Sequence, residues 1–145
     1  MKVVIQRVKS ASVTIDEKIT ATIENGMLIL LGISVDDTEK SIAWLTKKIA
    51  NLRIFEDENG KMNLSLKNVS GKILLVSQFT LYANAQRGNR PDFLQAAKPD
   101  KAIPLYEKFI ENLKSYNIDV KTGTFGADMQ VSLINDGPVT IILEK

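Results

Sequence analysis

A run of polar residues follows directly on a strongly apolar strand pattern. The apolar pattern is Ile73–Val76, and the run after it is Ser77-Gln78-Phe79-Thr80-Leu81-Tyr82. Hydroxyl and amide groups can orient a substrate or a water molecule, and binding sites favour the carboxyl ends of central strands in α/β sheets. Serine, glutamine and threonine also satisfy backbone groups at strand ends without any catalytic role. The residues alone leave both interpretations open.

A second unusual segment, Asn135-Asp136-Gly137-Pro138, separates two strand-like stretches near the C-terminus. Its composition favours a hairpin turn, because these four residue types dominate turns. The alternative is a rigid tip, in which Gly137 permits close approach to another group and Pro138 supplies stiffness. A bond before proline is also the one place where a cis peptide has a low energy.

The chain contains no histidine and no cysteine. Ser-His and Cys-His nucleophile systems, thiol redox chemistry and disulfides are therefore excluded, as are the two commonest zinc ligands. Catalysis would depend on hydroxyl, amide, carboxylate, cationic or backbone groups, or on the substrate itself. A metal-dependent hydrolase would need a carboxylate cluster, and the sequence shows no compact one, so we expect no metal and no cofactor.

Cations concentrate in the polar region that follows Tyr82, where the chain carries Arg87, Arg90, Lys98 and Lys101. Arginine and lysine in this arrangement would suit phosphate groups. The alternative is a solvated loop, in which Asp92 and Asp100 dilute the charge. A further set of cations that would extend such a surface comprises Lys47, Lys48 and Arg53.

The segment Gly123–Met129 has two glycines on either side of Phe125. It would form either the wall of a small pocket or a turn anchored by the phenylalanine. Asp128 is the only carboxylate in this segment, and no second acid is apparent for a paired acid–base mechanism.

Size and composition are those of one globular domain over residues 1–145. The hydrophobic share is 44% and the charged share 25%, and the net charge of +2 is too even to indicate a nucleic-acid binder by itself. The longest apolar run, Met27–Leu31, is far shorter than the roughly 20 residues that span a bilayer. The N-terminal residues lack a signal-peptide pattern. We therefore predict a cytoplasmic protein without membrane contact.

Hydrophobic periodicity predicts a strand-rich chain with two helices. The predicted strands are Val3–Val8, Ser12–Ile15, Ile19–Ile23, Met27–Ile33, Leu52–Phe55, Met62–Leu66, Lys72–Phe79, Asp119–Thr122, Met129–Ile134 and Val139–Leu143. Asn25-Gly26 is a hairpin signal. One helix is predicted over residues 38–51, and a second begins at Pro104. This pattern predicts an α/β (α+β) domain with a curved, partly closed, barrel-like sheet.

Six segments, taken together and in this order, resemble the D-aminoacyl-tRNA deacylase family over the whole chain. They are Val3–Val8, Asn51–Phe55, Asp57–Asn63, Ser77–Tyr82, Phe125–Met129 and Asn135–Thr140. The resemblance implies a small β-barrel-like body with its helices packed outside. It also implies a homodimer that hydrolyses the ester joining a D-amino acid to tRNA, with the active site at the subunit interface.

The resemblance assigns roles to individual residues. Ser77, Gln78, Phe79 and Thr80 would form the catalytic pocket of one subunit, and Gly137 and Pro138, joined by a cis bond, would enter it from the other. Further substrate contacts would come from Phe125, Ala127 and Met129. The candidate tRNA contacts are Arg7, Arg87, Arg90 and Lys98.

A mechanism compatible with this composition follows. Backbone N–H groups of Phe79 and Thr80 would hold the oxyanion, and the Thr80 hydroxyl would orient water, since no histidine or lysine stands in the motif to activate it. The carbonyl oxygens of Gly137 and Pro138 would exclude the side chain of an L-residue but not glycine, so glycyl-tRNA should also react. The alternative function is a non-catalytic RNA-binding module, in which Ser77–Thr80 are structural.

Overall fold

The computed structural model describes residues 1–86 and 88–145. In chain order its strands are β1 (Lys2–Ile15), β2 (Lys18–Ile23), β3 (Gly26–Gly32), β4 (Arg53–Glu56), β5 (Met62–Ser65), β6 (Lys72–Ser77), β7 (Val120–Thr122) and β8 (Gln130–Glu144). The two α-helices are α1 (Glu39–Asn51) and α2 (Pro99–Ser115), and a short 3-10 helix spans Phe79–Tyr82. No helix in the described part of the chain is long and apolar enough to cross a membrane.

The long strand β1 organises the main sheet. Along one edge its first half pairs antiparallel with β3 and its second half with β2, and along the other edge it pairs antiparallel with β8. β6 lies parallel to β3, and β7 lies parallel to β6. Because β1 pairs first with β3 and then with β2 along the same edge, the sheet curves into a barrel-like body. This architecture confirms the predicted α/β fold class.

Both faces of the central strands are buried, because alternate residues point to opposite sides of a sheet. Met27, Ile29 and Leu31 of β3 face the larger core, which also contains the apolar sides of α1 and α2. Leu28, between them, faces a smaller cluster on the other side of the sheet. α1 contributes Ile42, Leu45 and Ile49, each fully buried, as the three- and four-residue spacing predicts.

Three local predictions were wrong. The two N-terminal strands are one continuous strand, β1. Asn25-Gly26 does not close a hairpin, because β2 and β3 both pair with β1 and not with each other. α2 begins at Pro99 and contains Pro104, since Ala102 is buried and its N–H already donates to the Lys98 carbonyl at 2.8 Å.

The hairpin interpretation of Asn135–Pro138 was also wrong. The two predicted closing strands form one strand, β8, and both halves pair antiparallel with β1. Asn135 pairs with Val8 and Thr140 pairs with Gln6, so five residue steps on β8 lie opposite two on β1. The three extra residues form a bulge, which contains Gly137 and Pro138. We call this bulge, Asp136–Pro138, the tip.

Candidate active site

A cavity of about 280 Å³ opens where β3 and β6 end. Apolar side chains of β3, β6 and α2 line its inner part. Its remaining lining includes Ser77, Gln78, Phe79, Phe125, Ala127 and Met129. Two segments that lie far apart in the sequence, each containing candidate site residues, therefore meet at one pocket. The carboxyl ends of the strands are where the sequence predicted a binding site.

The Phe125 wall of the pocket is tied to β6 through a buried tyrosine. Tyr106 of α2 donates a hydrogen bond from its hydroxyl to the Leu75 carbonyl at 3.0 Å. Its ring contacts that of Phe125 edge-on, with centroids 5.7 Å apart. Burial raises the pKa of Tyr106 far above the ordinary value for tyrosine, so the hydroxyl remains a proton donor.

The polar rim of the pocket begins as the 3-10 helix leaves β6. The Gln78 N–H donates to the Leu31 carbonyl at 2.8 Å, which extends the β3–β6 pairing past the strand end. The N–H groups of Phe79 and Thr80 then come first in the helix, where amides have no intrahelical partner. Gly32 lies directly beneath, because a Cβ there would stand 3.0 Å from Leu81 Cβ and 3.2 Å from the Gln78 carbonyl oxygen.

Thr80 lies at the exposed edge of this rim, outside the cavity lining itself. Its hydroxyl oxygen accepts a hydrogen bond of 2.5 Å from the Gln78 side-chain amide. Asp128 is the single ionisable residue in the pocket lining of the described chain. No lysine or histidine therefore stands in this lining to act as the base that deprotonates the threonine.

The aromatic ring of Phe79 is half exposed at the pocket mouth and contacts a residue that the sequence analysis missed. Phe93 meets it edge-on, with ring centroids 5.1 Å apart. The contact joins the 3-10 helix to the loop before α2, and no local pattern in the sequence indicates such a pairing.

Gly137 and Pro138 are exposed at the tip and do not line the cavity of their own chain. The bond between them is cis, as the resemblance implies. Arg7 supports the tip from below, since its Nε donates to the Asp136 carbonyl at 3.0 Å and its Nη1 donates to the Ile54 carbonyl at 2.7 Å. On the other side of the tip, the Val139 N–H donates a hydrogen bond to the Asn135 side-chain oxygen at 2.8 Å.

Arg7, which the resemblance offered as a tRNA contact, differs from the other candidates in the described part of the chain because it is buried. The residue is only 3% exposed, and its guanidinium is held by Ile54, Asp136 and Glu56. The sequence carried a signal for this position, because Val3, Ile5 and Arg7 alternate along one strand and share its inward direction.

Arg90 and Lys98 lie on the surface, and Lys98 is the residue that precedes α2. Arg87 lies outside the described residues. Within the described residues, no three carboxylates come close enough to hold a metal ion.

Comparisons with known proteins converge on one family. The family model described as D-Tyr-tRNA(Tyr) deacylase matches residues 4–144. A D-aminoacyl-tRNA deacylase of Fusobacterium nucleatum is 60% identical over 99% of this chain and 95% of its own length. The corresponding protein of Thermosipho africanus is 56% identical over 100% of this chain and 97% of its own length.

Two solved structures are also similar. A c-Myc DNA Unwinding Element Binding Protein is 46% identical, with a TM-score of 0.94 over 100% of this chain and 99% of that one. A probable eukaryotic D-amino acid tRNA deacylase is 16% identical, with a TM-score of 0.85 over 98% of this chain and 97% of that one. The second likeness shows the fold alone.

Proposed function

The chain belongs to the D-Tyr-tRNA(Tyr) deacylase family, and from that membership we propose that it hydrolyses D-aminoacyl-tRNA to the free D-amino acid and tRNA. The observation that carries this proposal is the family match, which spans residues 4–144 and so includes both the pocket and the tip. Water adds to the ester carbonyl, the carbonyl–ribose bond breaks, and the ribose oxygen leaves with a proton. We place the reaction in the cytoplasm, where aminoacyl-tRNA is used.

We infer that the active unit is a homodimer in which each tip enters the pocket of the other subunit. β8 is an edge strand among the described residues, and it exposes Leu133, Ile134 and Ile142 by 36%, 59% and 64%. Apolar side chains on an unpaired edge favour contact with a second copy. The tip lies on this same strand, so a contact along β8 would carry it toward the partner.

The tip would make the enzyme selective for D-aminoacyl over L-aminoacyl groups. Its two carbonyl oxygens, from Gly137 and Pro138, would occupy the space that the side chain of an L-aminoacyl group needs. A D-aminoacyl group would point its side chain outward, so side-chain identity would matter little. Glycine has no Cβ to exclude, so glycyl-tRNA would also be cleaved. Phe125, Ala127 and Met129 would contact the aminoacyl group from the pocket wall.

The chemistry would depend on backbone donors and on the substrate. The N–H groups of Phe79 and Thr80 would stabilise an oxyanion at the rim, and loss of one such donor typically lowers kcat about 100- to 1000-fold. An aminoacyl ester is labile, and the neighbouring ribose hydroxyl can assist the attacking water. Ser77 and Gln78 would position these groups, while Arg90 and Lys98 would contact the tRNA.

We expect Thr80→Ala to lower kcat only about 10-fold, since the hydroxyl orients water and is not the nucleophile. Gln78 holds that hydroxyl, and the pocket lining among the described residues contains neither histidine nor lysine to activate it. Single-turnover deacylation of D-Tyr-tRNA measures the effect, with Thr80→Ser as the matched control. Loss of all turnover in a folded Thr80→Ala protein, with an acyl adduct trapped on Thr80 of the native enzyme, would contradict the orienting role.

The experiment that tests the function compares three substrates with the same tRNA body. D-Tyr-tRNA should be cleaved rapidly, glycyl-tRNA measurably, and L-Tyr-tRNA at the uncatalysed rate. Equal cleavage of the D- and L-esters would refute exclusion by the tip. Binding of all three without release of amino acid would favour the non-catalytic RNA-binding module.

A further inference from the structure

We propose that a basic surface around Trp44 binds the sugar–phosphate backbone of the tRNA whose ester occupies the active site. This Trp44 surface consists of Trp44, Lys47, Lys48, Arg53 and Lys145. The inference rests on the proposed function and deepens it, because it assigns the part of the enzyme that holds the body of the substrate.

The surface surrounds a groove of about 580 Å³ between the end of α1 and the start of β4. Six residues line the groove, and among them Lys47, Lys48 and Arg53 are cations while none is a carboxylate. The chain as a whole has 19 cations against 17 acids, so a groove with one sign of charge departs from the average surface. Such a concentration of positive charge attracts a polyanion.

Two lysines from distant parts of the chain lie beside the ring of Trp44. The Lys48 Nζ lies 5.6 Å from the centroid of its ring and the Lys145 Nζ lies 5.7 Å from it. Attraction to the aromatic ring restrains ammonium groups that would otherwise move freely in solvent. Trp44 itself is 37% exposed, and an exposed aromatic ring among cations can also stack against a base or ribose.

The Trp44 surface is connected to the tip of its own chain through the start of β4. Arg53 immediately precedes Ile54, whose carbonyl accepts a hydrogen bond from Arg7, and Arg7 in turn holds Asp136. In the proposed dimer the tip lies in the partner's pocket. The surface would therefore lie beside the pocket in which the aminoacyl end of the tRNA is bound.

A second chain of contacts leads from the surface to the pocket rim of the same subunit. Lys145 follows Glu144, which forms an ion pair with Lys2 at 3.5 Å. The Lys2 Nζ lies 5.1 Å from the ring centroid of Tyr82, the last residue of the 3-10 helix. A polyanion bound to the Trp44 surface would thus lie close to the pocket of the same subunit or to that of its partner. A tRNA whose acceptor end occupies one of these pockets meets this requirement.

The test uses Lys47→Ala/Lys48→Ala and two substrates, D-Tyr-tRNA and the D-tyrosyl ester of adenosine, which has no tRNA body. At 50 mM salt, kcat/KM for D-Tyr-tRNA should fall about 10- to 100-fold, while that for the adenosine ester should not change. The slope of log kcat/KM against log salt should become shallower by about 1.4 to 1.8 with the tRNA substrate. The matched control, Lys18→Ala/Lys114→Ala, removes two exposed lysines elsewhere and should behave as the unmodified protein.

Unchanged kcat/KM for D-Tyr-tRNA would overturn the proposal, and so would an equal loss with both substrates. If the unmodified protein released no amino acid from either ester, the proposed function would fail by itself. The surface would then be tested by fluorescence anisotropy with uncharged tRNA. Weaker tRNA binding by Lys47→Ala/Lys48→Ala than by Lys18→Ala/Lys114→Ala would support the role of the Trp44 surface, and equal binding would overturn it.

Discussion

Gly137→Ala should give a folded protein that cleaves D-Tyr-tRNA at least about 100-fold more slowly than the unmodified enzyme. Gly137 has a φ of +133°, which L-residues rarely adopt. An added Cβ would stand 2.7 Å from Val139 Cγ2, 3.1 Å from the Val139 nitrogen and 3.2 Å from Arg7 Nη2. The tip must shift to relieve these contacts, and a displacement of about 1 Å at a reacting centre lowers the rate about 100-fold.

The Gly137→Ala protein should lose some stability but remain folded. The tip is exposed, and the paired halves of β8 on either side of it keep their partners in β1. We expect the free energy of unfolding to fall by about 1–3 kcal/mol, which is the usual range for one strained residue. Urea unfolding followed by circular dichroism measures the free energy of unfolding. Steady-state deacylation of D-Tyr-tRNA gives kcat/KM and so measures the loss of activity.

Gly60→Ala is the matched control for backbone strain. Gly60 also has a positive φ, +71°, but a Cβ there would meet nothing within 4 Å. It belongs to the turn before β5 and not to the tip or the pocket lining. The control should lose stability and keep activity. Turnover of Gly137→Ala at the level of Gly60→Ala would show that the tip does not act in catalysis.

Local sequence patterns were sufficient to predict those elements that bury one regular face. The period of Ile42, Leu45 and Ile49 located α1 to within one residue at its start, because the helix buries that face. The polar run after Ile73–Val76 marked the pocket rim for a similar reason, since the strand ends where its core-facing pattern ends.

Other features depend on partners far away in the sequence. Asn135–Pro138 has the composition of a turn, and only its pairing with β1 on both sides makes it a bulge. Arg7 is buried because carbonyl groups 47 and 129 residues later accept its N–H groups. Composition alone therefore favoured a hairpin at Asn135–Pro138. The alternation of Val3, Ile5 and Arg7 indicates an inward direction for Arg7, but the distant carbonyl groups that satisfy its guanidinium are not visible in the neighbouring residues.

The tip does not line the pocket of its own chain, so under the proposed function the site of an isolated subunit would be incomplete. Gly137 and Pro138 are absent from the lining, although the family match includes both segments. This separation follows if the two parts are shared between subunits, since C2 symmetry would make the exchange reciprocal, each tip entering the opposite pocket. Mixed dimers can test that arrangement directly.

Two inactive variants should restore activity when they are combined in mixed dimers. Gly137→Ala displaces the tip and keeps the pocket, while Ala127→Trp fills much of the 280 Å³ cavity and keeps the tip. After joint unfolding and refolding at equal concentrations, about half of the dimers would be mixed, and each would contain one intact site. Deacylation of D-Tyr-tRNA should therefore recover to about one quarter of the unmodified rate.

The recovery distinguishes a shared site from a site within one chain. If each tip served its own pocket, every chain in the mixture would carry either a displaced tip or a filled cavity, and no dimer would contain a working site. Each variant refolded alone gives the baseline, and circular dichroism confirms that Ala127→Trp is folded. A mixture that stays at this baseline, with mixed dimers demonstrated by differently tagged subunits, would contradict the shared site and return the tip to its own chain.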